Sequence, residues 1–296
     1  MSCHLMTFLE NNALKIVVFL SRSMRDTVHS YFAVLLQKST FHISTVEMIK
    51  GSDGLFHRDF PNLNNAMEML QILSTMSDSS KKVVLELEGG VHEVVGNCSV
   101  PGWFGPLHKT LSVPCANLSI VGKGEGETTV HGSFVVENGR KVSVAGLTMK
   151  NSSGHGLAAF GAGTKMILKN MTVEKCQVTG VCVVDGAEVI AAGCHFYQNG
   201  QNGVSVDGST TTARLTNCTS HHNKADGVVV SFYAVVDLMG EGTSVHDNKR
   251  FGLSAWDRGS TINVYQPCVL NDMSHGNKDQ NIYRAGGNIQ QKDTKK

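Results

Sequence analysis

The sequence predicts an all-β fold: a right-handed parallel β-helix solenoid with three short strands per coil of about 24 residues, closed at its N-terminal end by a helix. Three observations carry this expectation. A Gly–apolar pair returns at Gly156, Gly180, Gly203, Gly227 and Gly252, with spacings of 24, 23, 24 and 25 residues. A second marker, Gly146, Asn170, Gly193, Asn217 and Gly242, keeps the same spacings of 24, 23, 24 and 25. Between the markers lie short runs of β-type residues, such as Ala213–Leu215, Cys218–His221 and Val228–Val230, separated by small turns.

A single coil of this kind cannot bury its own apolar side chains, but stacked coils can, one strand spacing of about 4.8 Å apart. Stacking converts the period into columns. Leu147, Met171, Cys194, Cys218 and Thr243 form one inward column, and Met149, Val173, Phe196, Ser220 and Val245 the next. Val181 and Val183, Val204 and Val206, Val228 and Val230, and Leu253 and Ala255 line a third wall. Asn199, Asn223 and Asn248 share a turn position, where side-chain amides can bond up and down the stack. Cys194 and Cys218 then read as buried reduced thiols, because a free cysteine inside a core behaves as a small hydrophobe.

Before the coils, Asp59, Phe60 and Pro61 followed by Leu63, Ala66, Met67, Leu70 and Leu73 describe an amphipathic helix over 60–77, with Asp59 as its cap and Pro61 in its first turn. Such a helix shields the open end of a solenoid. Val83 to Leu87 reads as the first strand, stopped by Gly89 and Gly90. The organisation is therefore an N-terminal extension (1–50) without a structural assignment, a cap with the first coil (51–116), the repeats (117–289) and a polar, frayed tail (290–296).

Asp59-Phe60-Pro61 with Leu63 and Ala66, the strand ending at Gly89-Gly90, and Leu118 to Gly124 resemble the entrance of pectin-lyase-like right-handed parallel β-helix proteins. The later coils resemble the generic repeats of that superfamily over about residues 58–290. The resemblance implies the fold. It leaves function open between polysaccharide lyases, esterases, hydrolases and epimerases on one side and non-enzymatic members on the other. The motifs of the enzyme branches do not map here. The Gly-Arg-Pro-Trp element of pectinesterases has only an echo in Ser254 to Gly259, and neither the Asp-Pro-His of alginate epimerases nor the paired arginines of pectate lyases occurs.

Charge and cysteine usage narrow the classes. Twenty-six Lys and Arg against 25 Asp and Glu, a formal charge of +1, disfavour a nucleic-acid backbone as partner. The apolar run from Ala13 to Leu20 contains Lys15 and is followed by Arg22 and Arg25 instead of a small-residue cleavage site, so neither a signal peptide nor a transmembrane segment is expected. The eight cysteines form no Cys-x-x-Cys pair, which points away from zinc ribbons and redox motifs. No metal or cofactor is expected, and an intracellular location fits better than secretion. The segment Lys123 to Glu127 lacks the Lys-Ser/Thr ending of a phosphate loop.

One outward column is chemically rich. Successive coils contribute Lys150, Glu174, Tyr197, His221 and His246, and the next position Asn151, Lys175, Gln198, His222 and Asp247, with Lys249 and Arg250 following. The candidate ligand-binding set is Tyr197, His221, His222, His246, Asp247, Lys249 and Arg250. Tyr197 is cast as a ring for stacking a sugar and the histidines as titratable donors, so that binding through an imidazolium would weaken between about pH 6 and 8. Adjacent His221 and His222 would diverge on a strand, which argues against a shared metal. The outward rungs of the third wall, Ala158, Cys182, Ser205, Val229 and Ser254, are small and offer no such convergence. Asp185 and Asp207 fall in equivalent turns one coil apart, as turn-forming Asp-Gly pairs in the first instance.

The expected function is a rigid, elongated binding face for a polysaccharide or a protein partner. Whether the chain is also an enzyme stays open. The alternative is a uronate-polymer lyase or epimerase, with His221, His246 and Tyr197 as catalytic candidates, because such chemistry needs a base of near-neutral pKa and a group to stabilise the developing negative charge. A structural surface or virion component is a second alternative.

Overall fold

The computed structural model describes residues 40–43, 62–76, 82–98 and 107–293. The apolar clusters at Ile16–Leu20 and Tyr31–Leu36, the cap residues Asp59 to Pro61 and the last three residues lie outside these, as does the side chain of Leu73. The chain winds into three long parallel sheets. Sheet 1 has ten strands, sheets 2 and 3 have eight each, and consecutive members of a sheet come from successive coils. In the central coils the path is sheet 1 (Thr212–Thr216), sheet 2 (Thr219–His221), sheet 3 (Val228–Ser231), then sheet 1 again (Val235–Met239).

The register places the first Gly marker in one column: Leu157 pairs with Val181, Val181 with Val204, Val204 with Val228, and Val228 with Leu253. None of these glycines has a left-handed backbone. They are glycine because there is no room. A Cβ on Gly180, Gly203, Gly227 or Gly252 would lie 2.5–2.8 Å from the amide nitrogen of Asn199, Asn223, Asn248 or Asn277.

That amide column is the Asn ladder expected from the sequence. Asn199 donates to Asn223 Oδ1 at 3.1 Å, Asn223 to Asn248 at 2.9 Å and Asn248 to Asn277 at 2.9 Å. Each Oδ1 also accepts a backbone N–H from the preceding coil: Cys176 to Asn199, Asn199 to Asn223, Asn223 to Asn248, all at 3.1 Å. The turn between sheets 2 and 3 thus satisfies its own buried polar groups. Cys176 and Ser152 take the corresponding position in the two preceding coils, and both are buried.

The second marker answers to backbone geometry. Gly146, Asn170, Gly193 and Asn217 have φ of 62°, 46°, 61° and 51°, the left-handed region that Gly and Asn enter most readily. Gly242 does not belong to this column. Thr216 pairs with Met239, so Gly240 (φ 85°) follows Asn217 in register, and the turn from there to Ser244 is two residues longer than its predecessor.

All three expected inward columns are buried in one continuous core. Cys194 and Cys218 are among the free cysteines and sit at adjacent rungs. The hydrogen bond to Cys218 and burial together hold the Cys194 thiol far above the ordinary range. The helix α1 spans Leu63–Met76, shorter than the expected 60–77. Its cap is Asn62, whose Oδ1 accepts the Asn65 N–H at 2.9 Å. Leu63, Ala66, Met67 and Leu70 are buried in the core, and Asn64 clips the helix to the backbone of Val95.

Both ends extend further than expected. Strand β1 (Thr40–Ile43) pairs in parallel with β2 (Val83–Leu87) at the edge of sheet 1, burying Phe41 and Ile43. At the other end Asn288–Lys292, whose last three residues belong to the segment expected as a frayed polar tail (290–296), pairs with Thr261–Tyr265. Its polar side chains continue an outer hydrogen-bond column, Gln290 to Asn263 to Asp237, each step 3.0 Å.

Candidate functional site

The outward column on sheet 2 forms as expected and runs further. Glu174 pairs with Tyr197, Tyr197 with His221, His221 with His246, and His246 with His275. The rings of Tyr197, His221, His246 and His275 are stacked, with centroids 5.0, 4.9 and 5.1 Å apart and planes within 3–8° of one another. This alters the role expected of Tyr197. The ring faces cover one another along the solenoid axis, so what reaches outward from the middle of the stack is a row of polar edges, not a platform for a sugar face.

His222 joins the stack from the side. The strand ends at His221, and His222 has φ 55°, as do its column mates within a few degrees: Asn151 (57°), Lys175 (53°), Gln198 (55°) and Asp247 (52°). The left-handed residue turns the chain back, so the two histidines do not diverge as a continuing strand would require. His222 meets His221 and His246 edge-on, at 5.1 and 6.3 Å, and its Nδ1 lies 2.9 Å from His221 Nδ1. Asp247, at the same position one coil later, accepts from His246 Nδ1 at 2.8 Å, a contact that holds the Asp247 carboxyl below its usual range.

The electrostatics favour uncharged groups at the centre. Burial, then the neighbouring imidazoles of His246, His222 and His195, push His221 down to about 4. Imidazoles one rung apart repel one another when charged, so His221 stays neutral across pH 6–8 and does not supply the imidazolium first expected. Burial and a hydrogen bond with Glu174 raise Tyr197 to about 12, so its hydroxyl keeps its proton. Glu174, expected on a solvated face, is buried beneath this pair, with the Lys175 ammonium 3.6 Å from its carboxylate.

Two contributors escaped the sequence reading. Glu125, on the loop after Asn117–Val121, reaches across to accept from Thr172 Oγ1 at 2.9 Å. It crosses two coils, which no local pattern encodes. His275 lies 29 residues after His246, because the helix α2 (Leu270–Met273) lengthens that coil beyond the period. His195 bonds Thr219 at 2.7 Å on the neighbouring outward column.

Other expected members separate. Lys249 is exposed. Arg250 lies in the turn just ahead of the sheet 3 strand Phe251–Trp256, where its guanidinium makes a bidentate pair with Asp226 at 2.6 and 2.7 Å. It lies over the rings of Phe251 (5.1 Å) and Trp256 (5.6 Å), while Tyr283 stacks on Phe251 at 4.1 Å. Sheet 3 therefore does gather aromatic and charged groups at its C-terminal rungs, contrary to the expectation from its small residues. Tyr283 occupies the column of Ser254 and was hidden by the same lengthened coil. Asp185 and Asp207 are also not equivalent. Val184 pairs with Asp207, because the turn after Asp207 is one residue longer than the turn after Val184. Asp207 instead accepts from Ser231 Oγ at 2.7 Å.

Burial also depresses His155, to about 4. In the unfolded chain it takes up its proton near 6.5, so the unfolded state binds more protons between about pH 6.5 and 4. Stability is therefore full above about 6.5 and declines as the pH falls toward 4. For His155 the span from 6.5 to about 4 corresponds to at most about 3 kcal/mol. Urea midpoints at pH 7 and 5 should differ, and should differ less in His155→Gln; an equal difference in the variant would remove His155 as the cause.

A family profile described as the right handed beta helix region matches residues 127–268. Among solved structures, the Agl-KA catalytic domain superposes with a TM-score of 0.52 at 13% identity, over 84% of this chain and 48% of that one. The pectate lyase Pel9A superposes with a TM-score of 0.52 at 10% identity, over 88% and 79%. The chain thus spans about half the length of the Agl-KA domain. No curated protein matches the sequence. At these identities the likeness is one of fold.

Proposed function

We propose, for this right-handed parallel β-helix, that the outer face of sheet 2 is a binding surface for an extended polysaccharide lying along the solenoid axis. The carrying observation is the four-ring stack of Tyr197, His221, His246 and His275 at 4.9–5.1 Å. A row of like polar edges, one per coil, suits a ligand that repeats its own hydroxyl groups at a regular interval. His221, His222, His246 and Asp247 supply the central contacts, and the hydroxyls of Thr219 and Ser244 flank them in the adjacent outward column. That Pel9A is a pectate lyase on the same fold supports a saccharide over a protein partner, as analogy only.

The geometry supports binding better than catalysis. Abstraction of a proton at neutral pH calls for a base with a pKa near the working pH. His221, near 4, is too weak a base, and Tyr197, near 12, holds its proton. An intracellular setting is part of the proposal and rests on the free buried thiols.

The test is affinity electrophoresis through gels containing polygalacturonate or alginate. Wild-type protein should be retarded in at least one. His221→Ala with His246→Ala should abolish most of that retardation, while Lys141→Ala on the outer face of sheet 1 should preserve it. Retardation should stay level between pH 6 and 8 where His221 carries the contact. A double variant that migrates like wild type in every gel would leave the column as a solvated face.

A further inference from the structure

The turn joining Ser231 to Ala234 carries two features that do not fit a passive connection. Phe232 and Tyr233 have φ of 50° and 69°, two successive left-handed residues. Both are largely exposed, at 58% and 62%. The equivalent turn two coils earlier is Asp185–Gly186, with φ of 56° and 84°. Two positive φ angles in a tight turn are the territory of Asp-Gly and Asn-Gly, and bulky aromatic side chains there are strained. Burial does not offset that strain, since the rings face water. A strained, solvent-facing aromatic pair in a turn that the chain builds from Asp-Gly two coils earlier points to a function.

Tyr233 is also held in place. A Cβ on Gly259, in the turn of the next coil, would lie 2.3 Å from Tyr233 Cδ1 and 2.8 Å from Cε1. The ring therefore lies against the bare backbone of Gly259, a contact that any other residue would block. The Tyr233 N–H donates to Ser260 Oγ at 3.0 Å and fixes the turn to that coil. One side of the ring is supported from below, and the rest is presented to solvent in a set orientation.

We infer that Phe232 and Tyr233 form a stacking site for a pyranose ring of a neutral oligosaccharide. The C–H groups on the apolar side of a pyranose carry partial positive charge and complement the negative face of an aromatic ring. The surroundings match such a ligand: Ser209, Thr210, Asp257 and Arg258, on the turns of the coils before and after, are all exposed and supply hydroxyl, carboxylate and guanidinium partners for sugar hydroxyls. The apolar area fits a sugar better than a protein. Among the described residues the other exposed large hydrophobics are Val91, Val95 and Val269, on other segments, so the aromatic pair is not the centre of a broad apolar patch of the kind a protein interface requires. This surface lies off sheet 2 and does not rest on the imidazole column.

The exchange Phe232→Asp with Tyr233→Gly tests the inference, because it rebuilds the turn as Asp185–Gly186 and is expected to fold. Its Tm should equal or exceed that of wild type, while retardation in gels containing galactomannan, xylan or hydroxyethylcellulose should be lost. The His221→Ala, His246→Ala variant should keep retardation that depends on this turn, so the two surfaces fail or survive separately. Retardation of the turn variant equal to wild type, or a wild-type protein retarded by none of these neutral polymers, would overturn the assignment. A turn variant with a lowered Tm would show that the aromatic pair serves the fold, and would overturn it as well.

Discussion

Gly227→Ala should destabilise the protein by about 3–5 kcal/mol, combining overpacking with the disruption of a buried hydrogen bond. The added Cβ would lie 2.2 Å from Val245 Cγ1, 2.7 Å from Asn248 Nδ2 and 2.8 Å from the Gly252 carbonyl oxygen. Two of these three contacts are with the Asn ladder and the backbone of the next coil, and neither can rotate away. Asn248 would have to move, and with it the bond it accepts from Asn223. Asn223→Ala should cost a comparable amount by the opposite route. It removes the acceptor of the Asn199 backbone N–H and the donor to the Phe196 carbonyl, leaving both buried groups without that partner. Gly126→Ala is the comparison. Its Cβ would meet nothing within 4 Å, and only its φ of 81° opposes a side chain, at about 1–2 kcal/mol. Urea titrations of the three variants would decide the matter. A Gly227→Ala no worse than Gly126→Ala would mean that the coils are not packed through this column.

Arg250→Ala should cost about 3–5 kcal/mol, and more than Asp226→Ala, because it strands a buried carboxylate. Asp226 is completely buried, whereas the Arg250 side chain keeps 42% of its exposure. Without its carboxylate, Arg250 can turn to water. Without Arg250, Asp226 keeps only the Ser254 hydroxyl at 2.6 Å and the Phe251 N–H at 3.3 Å, and must take up a proton or unfold the coil. The guanidinium also packs over Phe251 and Trp256, so its loss loosens the aromatic cluster at the end of sheet 3. Chemical denaturation of the two single variants, followed by tryptophan emission, gives the ranking. If Asp226→Ala proved the costlier, the pair would be acting through the hydrogen bonds of Asp226 and not through its charge.

The features legible from the residues alone are those that repeat. The Gly column, the inward Val, Met and Cys columns and the Asn ladder each recur once per coil, and a residue that must fit the same neighbours above and below can only be a few types. Val181, Val204 and Val228 therefore stand in one column, and Asn199, Asn223 and Asn248 in another, as their period requires. Tyr197, His221 and His246 were legible as one column for the same reason. Where the period breaks, the outcome follows from the stacking of the coils. Inserted residues put Gly240 in place of Gly242, separated Asp207 from Asp185, and hid His275 and Tyr283 behind a lengthened coil. Stacking also decided orientation. A left-handed residue returned His222 to the stack, and the turn after Asn248 carried Arg250 away to Asp226. Backbone dihedrals in turns and the lean of a long loop such as that of Glu125 depend on contacts between coils, and those contacts exist only once the coils have stacked.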